Sequence, residues 1–228
     1  MTTRATVEKL YKSQTEEFST CSQFQALETG KAISKEYEDF LANLCKTHMQ
    51  SPKILGFLFA LSPPRSTENV KHNLLEELGL EEVEESHPDL LKKMMKVIGL
   101  NESKLKLLEE EAQEEIYRMC QDPILYGTIK EFGLHIMLEV FSFEWMLSRL
   151  ASRIGNFLVK HRGCKKEDLL WLFYHSENDI QHAEEALDTL EEYVTYYKIS
   201  EDTLNLISES AFRENIFIKH YFAKRPVI

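Results

Sequence analysis

Apolar residues recur three and four positions apart along most of the 228-residue chain, and no stretch alternates strictly between apolar and polar. That periodicity predicts helices and no strands. Val7, Leu10 and Tyr11 give residues 3–19 one apolar side. Tyr37, Phe40, Leu41 and Leu44 form the stripe of a second helix over 34–48, with Ser34 as its N-cap candidate. SPKILGFLFALSPP reads as a short apolar turn or helix stopped by Pro63 and Pro64. Ser66 or Thr67 caps the next, which runs to about Leu78 and closes at Gly79. HPDLLKKMMKVIGL has Pro88 in its first turn and Gly99 at its end. NESKLKLLEEEAQEEIYRMC is polar on all but one side. Residues 124–160 are mostly apolar, and MLEVFSFEWML is apolar nearly all round, so its helix must be central. Residues 166–197 read as one long helix, and SEDTLNLISESAFRENIFIKHYF as the last, with Ser200 as its cap. The expected fold is all-α, a helical bundle of about seven to nine helices, in a single domain over 1–228 with no internal repeat or low-complexity linker.

Composition narrows the function more than the fold. Eight glycines and six prolines favour helices over a β-sandwich. A net charge of −11 argues against a nucleic-acid partner, since a phosphate backbone calls for a basic face, and suits metal ions or cationic small molecules. Cys21, Cys45, Cys120 and Cys164 are scattered with no CxxC pair. A disulfide framework or zinc knuckle is therefore not expected, and a reducing, cytoplasmic setting is. No stretch has the run of apolar residues that a membrane span or a signal core needs, so no membrane partner is expected.

The chemistry concentrates in FYHSENDIQHAEEAL. Four residues turn a helix by about 40° net and seven by about −20°, so His175, Asp179 and His182 share one narrow stripe. That stripe continues into Ala186 and Leu190 on the apolar side and so faces the interior. Burying an ionised aspartate and two imidazoles without partners costs several kcal/mol, and a divalent cation removes that cost because imidazole and carboxylate suit iron or manganese. A solvated face with chance spacing gives the same letters, so the rest of the chain has to decide. The central helix carries Glu144 between Phe143 and Trp145, with Glu139 as the alternative carboxylate and Arg149 or Arg153 as alternative ion-pair partners. NLLEELGLEEVEESHPDLL adds Glu77 at a helix end and His87 at the start of the next, while Glu76 and His72 stay open as alternatives. Three carboxylates and three histidines suit a dinuclear site between facing helices, but the ExxH pairs of ferritin-type bundles are absent.

NLLEELG (73–79), HPDLL (87–91), SFEW (142–145) and HSENDIQH (175–182), in that order, resemble the haem-oxygenase-like diiron oxidases, relatives of the thiaminase-II-like and pyrroloquinoline-quinone-synthase proteins. The resemblance covers residues 24–195 and includes the 31-residue step from Glu144 to His175. It implies a haem-oxygenase-like helical bundle with a metal-binding core over about 33–197, on which helices 3–19 and 200–222 pack. It further implies two iron ions, or manganese, held by Glu77, His87, Glu144, His175, Asp179 and His182. O2 would be the co-substrate, activated through a peroxo-diiron(III) species, and an external electron donor and a homodimer are compatible with it. The implied substrates are small amino acids, amines or carboxylates, and the implied reactions N-oxygenation, desaturation or oxidative C–C cleavage. Phe141, Phe143, Trp145, Phe173 and Tyr174 are candidates for the substrate wall, and Arg149 or Arg153 for a carboxylate clamp, although a surface ion pair is the commoner use of each arginine. The competing readings are a helical interaction protein with a vestigial metal site, a thiaminase-type hydrolase using Cys120 or Cys164, and a haem oxygenase. The last needs a proximal histidine on the first helix, and the chain has none before His48.

Overall fold

A computed structural model describes residues 2–81, 84–121 and 127–225, without the side chains of 119–121 and 177–179. Its helices are α1 Thr3–Thr20, α2 Ser22–Thr29, α3 Ser34–His48, α4 Ser51–Leu61, α5 Thr67–Glu77, α6 His87–Val97, α7 Glu102–Gln121, α8 Ile129–Arg162, α9 Leu170–Tyr196, α10 Glu201–Phe212 and α11 Ile216–Tyr221. Nine of these are eleven residues or longer, with α2 and α11 as short additions, and the described residues contain no strand. None of the described helices is long and apolar enough to cross a membrane.

Local chemistry sets most of the boundaries. Thr2 and Ser200 accept backbone N–H bonds from Ala5 and Thr203 and so cap α1 and α10. Pro88 opens α6 where its missing N–H costs nothing, and Gly99 beyond the helix end takes a left-handed turn. At α3 the cap differs from expectation. Ser34 is the first helical residue and Ile33 is the N-cap, because the Glu36 carboxylate accepts the Ile33 N–H at 2.8 Å. The last expected helix is two. Asn215 interrupts it, its side chain accepting from Ile218 N–H and donating to the Gln14 carbonyl at 2.6 Å. Gln14 in turn accepts the Ile216 N–H, so α1 imposes the break from the far end of the chain.

The 34 residues of α8 span about 51 Å at 1.5 Å per residue. Met137, Leu138, Trp145, Met146, Ala151 and Ile154 are almost wholly shielded from solvent, which makes α8 the axis of the fold. Its most extensive neighbour is α9. Gly155 permits that approach, since a methyl group there would lie 2.8 Å from the Phe173 ring. Helix α1 packs on α8 and α9, with the Tyr11 hydroxyl donating to the Leu138 carbonyl at 2.8 Å. Helices α4 and α5 pair and rest on α8 and α9 respectively, and α11 lies against α3 and α1. Residues of α3, α4, α5, α6, α7, α8, α9 and α11 thereby line one cavity.

Candidate metal centre

Helix α5 ends on two adjacent glutamates, which a helix sets about 100° apart. Both are buried. They serve different histidines. The His87 Nδ1–H donates to Glu77 Oε1 at 2.9 Å, and the Ser51 hydroxyl donates to Oε2. The Nε2 of His175 lies 4.0 Å from the same Oε1. Its Nδ1 lies 2.6 Å from the Trp171 carbonyl, which can only accept, so this nitrogen carries the proton and Nε2 keeps the lone pair. Backbone orientation of this kind is what a metal-binding imidazole requires. One donor atom each from Glu77, His87 and His175 falls within 4.8 Å of the others.

Glu76 turns the other way. Its Oε2 lies 2.7 Å from His182 Nε2 and its Oε1 3.8 Å from His72 Nε2, and these three also have donor atoms within 4.8 Å of one another. Glu144 of α8 lines the same cavity as Glu77, His87, His175 and His182. Its Oε1 accepts from the Asn73 amide at 2.6 Å. An asparagine of α5 therefore holds this carboxylate where the sequence offered an arginine as the alternative.

Glu77, His87, Glu144, His175 and His182 all line one cavity of about 110 Å³. The sixth expected ligand, Asp179, has its side chain outside the described residues. The cavity is of small-molecule size, well below the ~300–1,000 Å³ of pockets for drug-sized ligands. Ile54, Leu55, Ile136, Val140, Phe143 and Leu147 supply its apolar walls. Lys46, Glu115, Glu139, His48 and His220 supply further polar lining.

Most of the expected substrate contacts lie away from this cavity. Neither arginine lines the cavity. Arg153 forms a two-pronged bond to Glu28 at 2.8 and 2.9 Å, and Arg149 stacks on the Trp145 ring at 3.3 Å while donating to the Trp145 carbonyl. Phe141 packs behind Glu144 and His182, and Tyr174 lies edge-on to His87. Trp145 and Phe173 are taken up by helix packing. Of the aromatic wall candidates only Phe143 faces the cavity. In their place His48 and His220 line the cavity, while His135, outside the lining, pairs with Glu139. His220 donates to Glu139 Oε1 at 3.1 Å, His135 lies 3.5 Å from Glu139 Oε2, and His48 bonds the Tyr221 hydroxyl at 2.6 Å. Only the four-residue step from His135 to Glu139 follows a spacing rule; His48 and His220 join them because α3, α8 and α11 meet only in the folded chain.

The electrostatics follow from burial and pairing. Burial works to raise the Glu77 carboxyl, but the His87 charge and hydrogen bond, with His175 and Ser51, outweigh it and hold the group down to about 2. Glu139 is likewise held down to about 2, against burial, by its bonds to His135 and His220. Burial pushes the His48 imidazole down to about 3, helped by the nearby His175. Burial also pushes the Cys45 thiol up to about 12, so it is not a nucleophile at neutral pH. No cysteine lines the cavity among the described residues.

Gly79 brings the ligand helices together. Its φ of +69° suits glycine, and a methyl there would lie 2.4 Å from the Glu85 carbonyl carbon and 2.6 Å from the Ser86 nitrogen. The chain can therefore fold back against the end of α5 and deliver His87 onto Glu77. Gly79→Ala is expected to cost about 2–3 kcal/mol, from left-handed strain and the backbone clash. Chemical denaturation measures that loss, and metal-binding titration is expected to show weaker binding in parallel. An unaltered denaturation midpoint would mean that the close approach is not required.

The donor set lining the cavity fits divalent iron or manganese: imidazole nitrogens and carboxylates, with no thiolate among the described residues. Residues 38–205, which include all six expected ligands, match the family of iron-containing redox enzymes. No curated protein matches the sequence.

Proposed function

The chain belongs to the iron-containing redox enzyme family, and from that membership we propose that it is a non-haem diiron enzyme that uses O2 to oxidise a small amine or amino acid. The observation that carries the reading is the convergence of Glu77, His87, Glu144, His175 and His182 on one small, mostly apolar cavity, with donor atoms of Glu77, His87 and His175 within 4.8 Å of one another. Glu77, His87 and His175 would hold one ion, and His182, Glu144 and Asp179 the other. When bound there, iron supplies the redox chemistry and the open coordination positions for O2.

The chain's own residues do the rest. The Trp171 carbonyl fixes the His175 tautomer, and the Asn73 amide fixes the Glu144 carboxylate. Both ligands are thus oriented before any ion arrives, which avoids the cost of ordering them later. Ile54, Ile136, Val140, Phe143 and Leu147 restrict water at the reacting end. Across the cavity, the ionised Glu139 carboxylate is the acceptor for a substrate ammonium group. Glu115 adds no free charge, because Lys46 pairs with it at 2.6 Å. Glu139 and Glu144 lie five residues apart on α8, about 7.5 Å along the axis. An amine or amino acid of a few carbons spans that distance.

The test is anaerobic loading with ferrous iron, followed by O2 exposure in a stopped-flow spectrophotometer with a panel of amines and amino acids. Two iron ions per chain and O2 uptake accelerated by one amine class are expected. Iron content near zero would overturn the reading in favour of an interaction protein with a vestigial site. With the accelerating amine in hand, Glu139→Gln is expected to raise its KM at least ~10-fold with a smaller change in kcat, since the lost charge acts on binding. An unchanged KM would remove Glu139 from the substrate site.

A further inference from the structure

Neither His72 nor Glu76 belongs to the expected six-ligand set, yet with His182 they form a second compact donor group. We infer that His72, Glu76 and His182 bind a divalent transition-metal ion at a surface-open position distinct from Glu77–His87–His175, with His182 as a ligand common to this position and the inner centre. The inference rests on the iron-dependent reading above and extends it to where an ion first meets the protein.

The geometry has three parts. His72 and Glu76 are four residues apart on α5, so a helix stacks them on one face. His182 of α9 faces both, with its ring centroid 5.8 Å from that of His72 and its Nε2 2.7 Å from Glu76. Two nitrogens and a carboxylate suit iron, manganese, cobalt or zinc, and suit magnesium or calcium poorly, since those ions prefer oxygen throughout.

The surroundings differ from those of the inner group. Glu76 and His182 are buried, but the His72 side chain is 39 % exposed. It lines an outer groove of about 360 Å³ together with Glu68, Lys71, Glu81 and Glu185. Glu81 Oε2 reaches His72 Nε2 at 3.2 Å. Glu77, His87 and His175 do not line this groove. His182 lines the inner cavity as well. The group therefore sits between an acidic approach, which concentrates cations, and the interior that houses the expected centre.

The test uses Co²⁺ as a spectroscopic probe on full-length, metal-free protein under anaerobic conditions, followed by visible absorbance and calorimetry. Two classes of binding event are expected for the wild type, one at the inner centre and one that depends on His72. His72→Ala should weaken one of them at least ~10-fold and leave the other unchanged, with Glu76→Gln repeating the effect. His87→Ala should weaken the other event and spare the first. Circular dichroism checks that each variant is folded; His72 is partly exposed, so its replacement is the mildest of the three. If His72→Ala and Glu76→Gln both titrate as the wild type does, these residues only hydrogen-bond His182, and the inference is overturned. The two readings fail separately. A His72-dependent cobalt event in a protein whose iron form takes up no O2 would sink the functional proposal alone. O2 uptake in a protein indifferent to His72→Ala would sink this one alone.

Discussion

His175→Ala is expected to lose iron from the inner group and to abolish O2 consumption. The imidazole has two tasks, and alanine performs neither. Its Nδ1–H is committed to the Trp171 carbonyl, which leaves Nε2 directed at Glu77, 4.0 Å away, beside a His87 ring 4.8 Å from its own. Removing only an outer partner of a metal ligand costs roughly 10–100-fold in affinity, so loss of the ligand itself should exceed that range. The buried ring also fills space against Trp171, at 4.2 Å between centroids. Its truncation is expected to cost about 2–3 kcal/mol of stability, which denaturation can separate from the metal effect. Iron per chain after desalting and O2 uptake at an electrode are the readouts. A folded His175→Ala protein with wild-type iron content and O2 uptake would remove His175 from the site.

The parts of this site that could be read from the sequence are those within one helix or at its ends. His175 and His182 lie on one stripe of α9, and a periodic apolar pattern is enough to turn that stripe inward. Gly79 and Pro88 mark the junction that sets Glu77 beside His87. Adjacent Glu76 and Glu77 mark the limit. Sequence cannot say which of two neighbours at a helix end faces the interior, and in the fold both do, toward different histidines. Long-range pairing was out of reach for the same reason. Arg153 meets Glu28 across 125 residues and Asn215 meets Gln14 across 201, so spacing named an ion pair as the commoner use of Arg153 but not its partner, and one expected helix became two. Lying beyond residue 205, His220 and Tyr221 are outside the family match, yet they line or abut the cavity. The matched part of the chain thus contains the expected metal ligands, while α11, beyond it, adds polar groups to the cavity.

Metal-free protein is expected to lose stability steadily as pH falls below about 6.5, with His48 responsible for the first part of the loss. Its imidazole is held down to about 3 from an ordinary 6.5, because burial and the neighbouring His175 disfavour a charge there. Between those values the unfolded chain takes up a proton that the folded chain refuses, so acid favours unfolding. The full shift corresponds to at most about 5 kcal/mol, reached only near pH 3. Glu77 has the same sign in a lower window. Its folded value of about 2 lies below the ordinary 4.5, so its stabilisation is complete above 4.5 and is lost as pH falls toward 2. The expected profile therefore declines gently from 6.5 to 4.5 and more steeply below. His48→Gln keeps a polar partner for the Tyr221 hydroxyl but cannot titrate. In urea denaturation at several pH values this variant should flatten the upper part of the slope and leave the lower part in place. An identical slope in wild type and variant between pH 6.5 and 4.5 would mean that His48 is solvated enough to ionise normally, and that the wall it shares with Phe143 and Tyr221 is wetter than its packing implies.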